Sequence, residues 1–342
     1  MNAVMISGGG VLHMSRLLAG LQSFGACRVA VIGDLMLDEY LWGHIERISP
    51  EAPVPILNVV RREFMLGGAG NVVENLRALG AQVTVFGVLG EDFTGSQVRD
   101  LLRAHGADLA EVIIDPSRKT TRKVRLMSLE HGQQVFRLDD ESTHTILGEI
   151  ENRLVRAIQA HLAGAQVVIC SDYMKGVLTG RVLNAIFVAA HKLGISSIVG
   201  PKDSSSQKYR GANILMPNSQ ELAQLVGKPV DGDVWLWDSA GRLVNELSLE
   251  ALIVTRGRDG MSLFENVRSG LRRVDVPTMA RSVYDVTGAG DTAIATFAAA
   301  VASRSDRETA ARLANLAAGI KVGKRGSACV TFEELKESAA AI

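Results

Sequence analysis

The feature that most constrains the fold is a series of short apolar runs, at 29–32, 83–86, 167–170, 195–199, 214–215 and 252–254. They are continuous rather than alternating, as in strands covered on both faces of a mostly parallel sheet. Between them, helical spacing covers 71–79, 95–105, 147–162, 179–193, 219–226, 290–302 and 307–322. Parallel strands need crossover connections, so this alternation predicts a doubly wound α/β sheet with right-handed crossovers.

Two stretches break the rhythm. Residues 36–66 carry Tyr40-Leu41-Trp42, then Pro50, Pro53 and Pro55, then Ile56-Leu57-Asn58-Val59-Val60; residues 120–138 carry two further strand-like runs. They read as a small sheet inserted into the α/β core, which has to pack on the core or on a second subunit because so small a sheet is not stable alone. No repeat or low-complexity linker divides the chain, so the expectation is one domain over 1–342 with a lid at about 36–66 and 120–138.

Lys plus Arg and Asp plus Glu number 37 each, so the formal net charge is zero. No long-range field gathers nucleic acid or anionic lipid, and neither is an expected partner. The start of the chain lacks a signal-peptide pattern and no apolar run reaches the roughly 18 residues of a membrane helix, which points to a cytoplasmic protein. Cys27, Cys170 and Cys329 are odd in number and far apart, and read as free thiols.

The sharpest chemical signal is Asp285-Val286-Thr287-Gly288-Ala289-Gly290-Asp291-Thr292, running directly into an apolar helical stretch. The glycines allow a tight turn into the helix, whose first-turn amides and positive dipole end suit a phosphoryl group in transfer. Gly288, Ala289 and Gly290 thus form an anion hole, and Asp291 in the same turn is placed to take a proton from an attacking hydroxyl. The plainer alternative is that Asp291 only caps the helix.

Gly67-Gly68-Ala69-Gly70-Asn71 makes a second glycine-rich turn into a helix, where backbone can approach a ligand and Asn71 offers donor and acceptor together. Asp34 and Asp172 end predicted strands at the carboxyl edge where open α/β sheets bind ligands, with Asp38 and Lys175 nearby. These carboxylates suit a polyhydroxylated substrate, although each could equally be a solvated loop residue. Asn218-Ser219-Gln220-Glu221 opens a helix and reads either as a capping box or as a site for Mg2+ and its waters through Asn218 and Glu221. Thr255, Gly257 and Gly260 lie at another strand end, where a nucleotide could run. No GxxxxGK[ST], GxGxxG, HRD or DFG pattern occurs, so phosphate binding uses another architecture.

In these motifs the chain resembles the ribokinase family, also called the PfkB carbohydrate kinases. The 67–71 segment is similar to its first signature, 285–292 to its second, and Asn218–Glu221 to its NxxE magnesium motif; the resemblance runs from about Arg28 to Thr331. Segments 33–40, 48–55 and 171–178 resemble the branch that phosphorylates heptose 7-phosphate.

The resemblance implies a ribokinase-like fold and transfer of the ATP γ-phosphoryl group to the anomeric hydroxyl of the heptose phosphate, on the way to ADP-heptose and lipopolysaccharide core. It implies sugar contacts from Asp34, Gly68, Asn71 and Asp172, nucleotide and Mg2+ contacts at 218–221 and 255–257, adenine beside Asn315, and a monovalent cation near Asp285 and Thr287. Many relatives carry a fused nucleotidyltransferase; because this chain ends at Ile342, adenylyl transfer is expected to belong to another protein. The substrate phosphate needs a cation, with Lys175 the first candidate and Arg47 and Arg137 behind it. The lid strands suit a homodimer. Rival readings are another sugar or nucleoside kinase of this family, or a sensor that kept the fold without the chemistry.

Overall fold

The apolar runs become strands covered on both faces. The structure, a computed structural model, describes residues 9–130, 132–280, 283–324 and 328–341. The first eight residues, read above for a leader, lie outside the described residues.

The strands are β1 (Arg28–Gly33), β2 (Leu35–Ile48), β3 (Pro55–Gly68), β4 (Gln82–Gly90), β5 (Asp108–Asp115), β6 (Thr121–Ser128), β7 (Gln134–Asp140), β8 (Val167–Ser171), β9 (Ser196–Gly200), β10 (Ile214–Leu215), β11 (Ala251–Thr255), β12 (Met261–Val267) and β13 (Gly270–Val276). The helices are α1 (Gly9–Leu21), α2 (Ala69–Ala78), α3 (Phe93–Ala104), α4 (Gly148–His161), α5 (Gly180–Leu193), α6 (Ser219–Val226), α7 (Gly232–Leu247), α8 (Ala289–Ala302), α9 (Arg307–Val322) and α10 (Phe332–Ala340).

Among the described residues, nine strands form one sheet in the order β13-β12-β11-β10-β9-β8-β1-β4-β5, with β12 running opposite to the other strands. Alternate residues feed two cores. Val29 and Val31 of β1 pack with Ile169, Ile253 and helices α2, α8 and α9. Ala30 and Ile32 pack on the other face with Val168, Leu252 and helices α4, α5 and α7. The two-residue strand period thus explains why these runs carry no polar face.

After β1 the chain enters β4 on one side and later returns to β8 on the other, so a topological switch lies between β1 and β8. The N-terminus of α8 sits at that edge. Residues 292–300 of α8 are all buried, and its alanines let α2 and α9 approach closely.

The lid is a four-stranded sheet, β3-β2-β6-β7, that starts at Leu35, two residues beyond the end of β1. In register, Asp38, Tyr40 and Trp42 of β2 share a face with Lys123 and Arg125 of β6 and with Arg137 and Asp139 of β7. Leu37, Glu39 and Leu41 share the opposite face with Leu126, Phe136 and Leu138.

The expected α/β sheet and lid are present, and several elements are added. Edge strand β13 mixes half-buried and exposed residues and lacks a continuous apolar run, while β5 holds Val112-Ile113-Ile114, a run as long as 252–254 that the sequence reading passed over. The β12–β13 hairpin adds the antiparallel edge. Helices α1 and α7 also go beyond the sequence reading, and α10 extends well before the alanine run at 339–341 that reads as helix. Cys27, Cys170 and Cys329 are free thiols. Among the described residues, no helix is long and apolar enough to cross a membrane.

Candidate active site

Gly288 caps α8 in the left-handed region, at φ +75°, and an added Cβ would meet Asn71 Nδ2 at 2.9 Å. Glycine is needed there for both reasons. The tight turn brings the start of α8 against the start of α2.

Asp291, in that first turn, faces a cavity of about 290 Å3 whose wall includes Asp172, Tyr173, Lys202, Glu221 and Thr255. Its Oδ2 accepts from Asn71 Nδ2 at 2.6 Å and its Oδ1 from the Tyr173 hydroxyl at 2.7 Å. Burial raises its pKa from the ordinary 3.8 to about 6, the two hydrogen bonds pull it down, and the charges of Asp38 and Glu221 push it up. Asp291 thus combines a place in the first turn of α8 with two side-chain donors and a position at the edge of a cavity.

The Asn71 amide is oriented from behind. Asn75 Nδ2 donates to Asn71 Oδ1 at 3.1 Å, and Thr292 Oγ1 donates to Asn75 Oδ1 at 2.7 Å. With its oxygen engaged by Asn75, Asn71 presents Nδ2 to Asp291. Burial and the Asp291 charge hold the Tyr173 hydroxyl well above the usual phenol range, so it remains a donor.

Several of the expected site residues have partners within the protein. Asp34 is 1% exposed and accepts from the Tyr173, Lys175 and Val177 amides. Asp172 accepts from Met174 N, Lys208 Nζ and the Tyr209 hydroxyl. Both carboxylates are engaged in holding the 172–177 loop, and the product of that loop is the placement of Tyr173. Lys175 Nζ pairs with Glu141 at 2.8 Å and does not line the cavity. Of the amides expected to face an anion, that of Ala289 turns onto the Val286 carbonyl at 3.2 Å. Gln220 is exposed and lines neither this cavity nor the next.

Gly67 and Gly68 serve the joint between lid and core. An added Cβ would meet Met36 Cγ at 2.9 Å at Gly67 and the Asp34 carbonyl at 2.5 Å at Gly68. Asp38 projects from the lid and pairs with Arg125 at 2.7 Å. Arg47 is exposed, and Arg137 pairs with Asp139.

Asn218 and Glu221 form a reciprocal capping box. The cap uses Glu221 Oε2, while Oε1 points to Lys202 Nζ at 3.0 Å and lines the cavity. Ser219 Oγ reaches the Thr255 carbonyl only at 3.5 Å. Thr255, Gly257 and Gly290 also border a second, apolar cavity of about 500 Å3, walled by Gly260, Val286, Ala289 and Asn315. The two cavities therefore meet at the mouth of α8. Asn315 is held by a bond from its Nδ2 to the Pro277 carbonyl at 2.8 Å. Asp285 Oδ1 accepts from the Thr287 amide at 2.9 Å.

Sequence reasoning passed over Tyr173, Asn75, Lys202 and the Lys208–Tyr209 pair as individual residues. Tyr173 lies in the 171–178 segment, so its position was available, but a phenol has no spacing rule that marks it as a partner of Asp291.

Residues 27–332 match the pfkB family of carbohydrate kinases. The chain is 48% identical over 308 residues to the bifunctional protein HldE of Geotalea uraniireducens, covering 90% of this chain and 62% of that protein. It is 45% identical over 311 residues to the bifunctional protein HldE of Geobacter sulfurreducens, covering 91% and 62%. The chain thus spans less than two thirds of the length of these relatives. Among solved structures, the fold is shared with Arabidopsis thaliana ribokinase complexed with ribose and ATP, at TM-score 0.72 and 20% identity over 92% of this chain and 98% of that one. It is shared as well with Escherichia coli phosphofructokinase-2 in complex with potassium, at TM-score 0.78 and 19% identity over 92% and 99%. The chain belongs to the pfkB family of carbohydrate kinases, and its ribokinase-like fold carries a sugar kinase.

Proposed function

We propose that this kinase transfers the γ-phosphoryl group of ATP to the anomeric hydroxyl of D-glycero-β-D-manno-heptose 7-phosphate, giving the 1,7-bisphosphate that feeds ADP-heptose and lipopolysaccharide core. The observation that carries the kinase chemistry is Asp291, held by Tyr173 and Asn71 where the polar and apolar cavities meet. The heptose acceptor is supported by the resemblance of segments 33–40, 48–55 and 171–178 to heptose 7-phosphate kinases.

In this reading the acceptor lies between Asp291 and the inward face of the lid, beside Asp38 and Asn71. The adenine occupies the apolar cavity next to Asn315, with the phosphates crossing at Thr255, Gly257 and Gly290. As the sugar oxygen bonds to the γ-phosphorus, its proton passes to Asp291 and the bond to the β-phosphate oxygen breaks, releasing ADP. The Gly288, Gly290 and Asp291 amides stabilise the charge on the transferring group.

Glu221 Oε1 has the half-exposed Lys202 as its partner, so this carboxylate fits a hydrated magnesium ion held through water. Bound there, the ion would neutralise charge on the β- and γ-phosphates. A monovalent cation near Asp285 and Thr287 belongs to the same reading. The exposed Phe136 and Leu138 on the outward lid face support a homodimer through the lid.

The test is ADP release with ATP and an acceptor panel of heptose 7-phosphate, ribose, fructose 6-phosphate and a nucleoside. Preference for the heptose phosphate is expected; equal or better turnover of another acceptor overturns the assignment.

A further inference from the structure

The inward face of the lid carries more positive charge than its own carboxylates balance. Lys123 and Arg125 of β6 and Arg137 of β7 lie on this face together with Asp38 and Asp139. Asp38 pairs with Arg125 at 2.7 Å, while Asp139 serves both Arg137 at 2.9 Å and Lys123 at 3.6 Å. Arg61 and Glu63 of β3 lie on the same face and pair with each other at 3.2 Å, so four cations stand against three carboxylates and one positive charge is in excess. Arg125 and Arg137 are also direct cross-strand partners, a like-charge pairing that costs stability unless an anion joins them.

At its Asp38 end this face adjoins the glycine turn that leads into α2, where a Cβ on Gly67 would meet Asp38 Oδ2 at 3.1 Å. The Asp38 charge is felt by Asp291, and Tyr40, with Arg125 5.2 Å from its ring centre, feels Asp285. The Lys123 and Arg125 side chains are only 19% and 15% exposed, which raises the value of a charge-matched ligand over that of a solvated ion pair. From Asp38, the Lys123 position is one strand away and Asp139 two, at about 4.8 Å per strand. An acceptor whose reactive end sits between Asp38 and Asp291 would therefore extend its far end along β6 and β7.

We infer that Lys123, Arg125 and Arg137 form a subsite for a phosphate monoester on the terminal carbon of the acceptor sugar. The inference rests on the acceptor reading above and gives the substrate phosphate a different home from Lys175, which is held by Glu141. A dianion bridging β6 and β7 offsets the excess charge and relieves the Arg125–Arg137 repulsion. Arg125 also keeps Asp38 in place, so Lys123 and Arg137 are the positions to probe.

The experiment compares heptose 7-phosphate with the same heptose lacking its phosphate, in wild-type enzyme and in Lys123→Met, Arg137→Met and Lys123→Arg. Wild type should favour the phosphorylated acceptor in kcat/KM, and each Met variant should cut that preference about tenfold or more, the value of one charge-assisted hydrogen bond. The loss should fall mainly on KM, and Lys123→Arg should keep most of the preference. Inhibition by inorganic phosphate, competitive with the phosphorylated acceptor, should weaken in both Met variants. A wild-type enzyme with no preference overturns the acceptor reading itself. A wild-type preference that survives in both Met variants, with unchanged inhibition by phosphate, overturns only the lid subsite.

Discussion

The Tyr173 hydroxyl donates to Asp291 Oδ1 at 2.7 Å, from a loop whose backbone is anchored by Asp34. The bond favours the ionised carboxylate against a burial that opposes it. Tyr173→Phe removes it, so the acid limb of the kcat/KM profile should move upward by on the order of one pH unit or more. In wild type that limb should lie near the Asp291 pKa of about 6, with activity lost as pH falls through it. The effect on stability has the opposite sign. The native state holds this proton more tightly than the unfolded chain, so the group's contribution becomes less favourable as pH rises from 3.8 towards about 6. An unmoved limb in Tyr173→Phe would show that the phenol does not tune the base.

Asp291→Asn keeps the side chain's size and removes its basicity. Turnover should fall on the order of 100- to 10,000-fold, while the Kd for nucleotide, measured by calorimetry, changes little. Substantial residual kcat would remove Asp291 from the role of base.

Asn75→Ala tests the support behind Asn71. It strands the buried Thr292 hydroxyl, which should cost about 1–3 kcal/mol in urea unfolding. It also frees the Asn71 amide to rotate, so kcat should fall more than the KM for ATP rises.

Gly288→Ala places a Cβ against Asn71 Nδ2 and forces alanine to φ +75°. A stability loss of about 1–2 kcal/mol is expected from the backbone conformation alone. Turnover should drop further than Asn71→Ala would make it drop, because the anion hole and the Asp291 partner are displaced together.

Phe136→Glu puts charge on the exposed apolar face of the lid. Sedimentation should show a dimer for wild type and a shift towards monomer for the variant, with the α/β core intact by circular dichroism.

The amino-acid sequence alone determined the buried parallel strands, since runs such as 29–32 and 167–170 have no polar face to offer water, and β1 and β8 do lie in the interior of the sheet. It determined the mouth of α8 as well, because Gly288, Gly290 and Asp291 act within one turn of local backbone. Edge strand β13 escaped because exposed and charged residues interrupt its apolar positions, and the internal donors to Asp34 and Asp172 escaped because position at a strand end does not reveal what a carboxylate accepts. Only the tertiary structure decided that Tyr173, 118 positions from Asp291, would be its donor, and that Lys123, Arg125 and Arg137 would share one face. Such contacts depend on strand register and on loops held by distant backbone, and neither leaves a periodic trace in the chain.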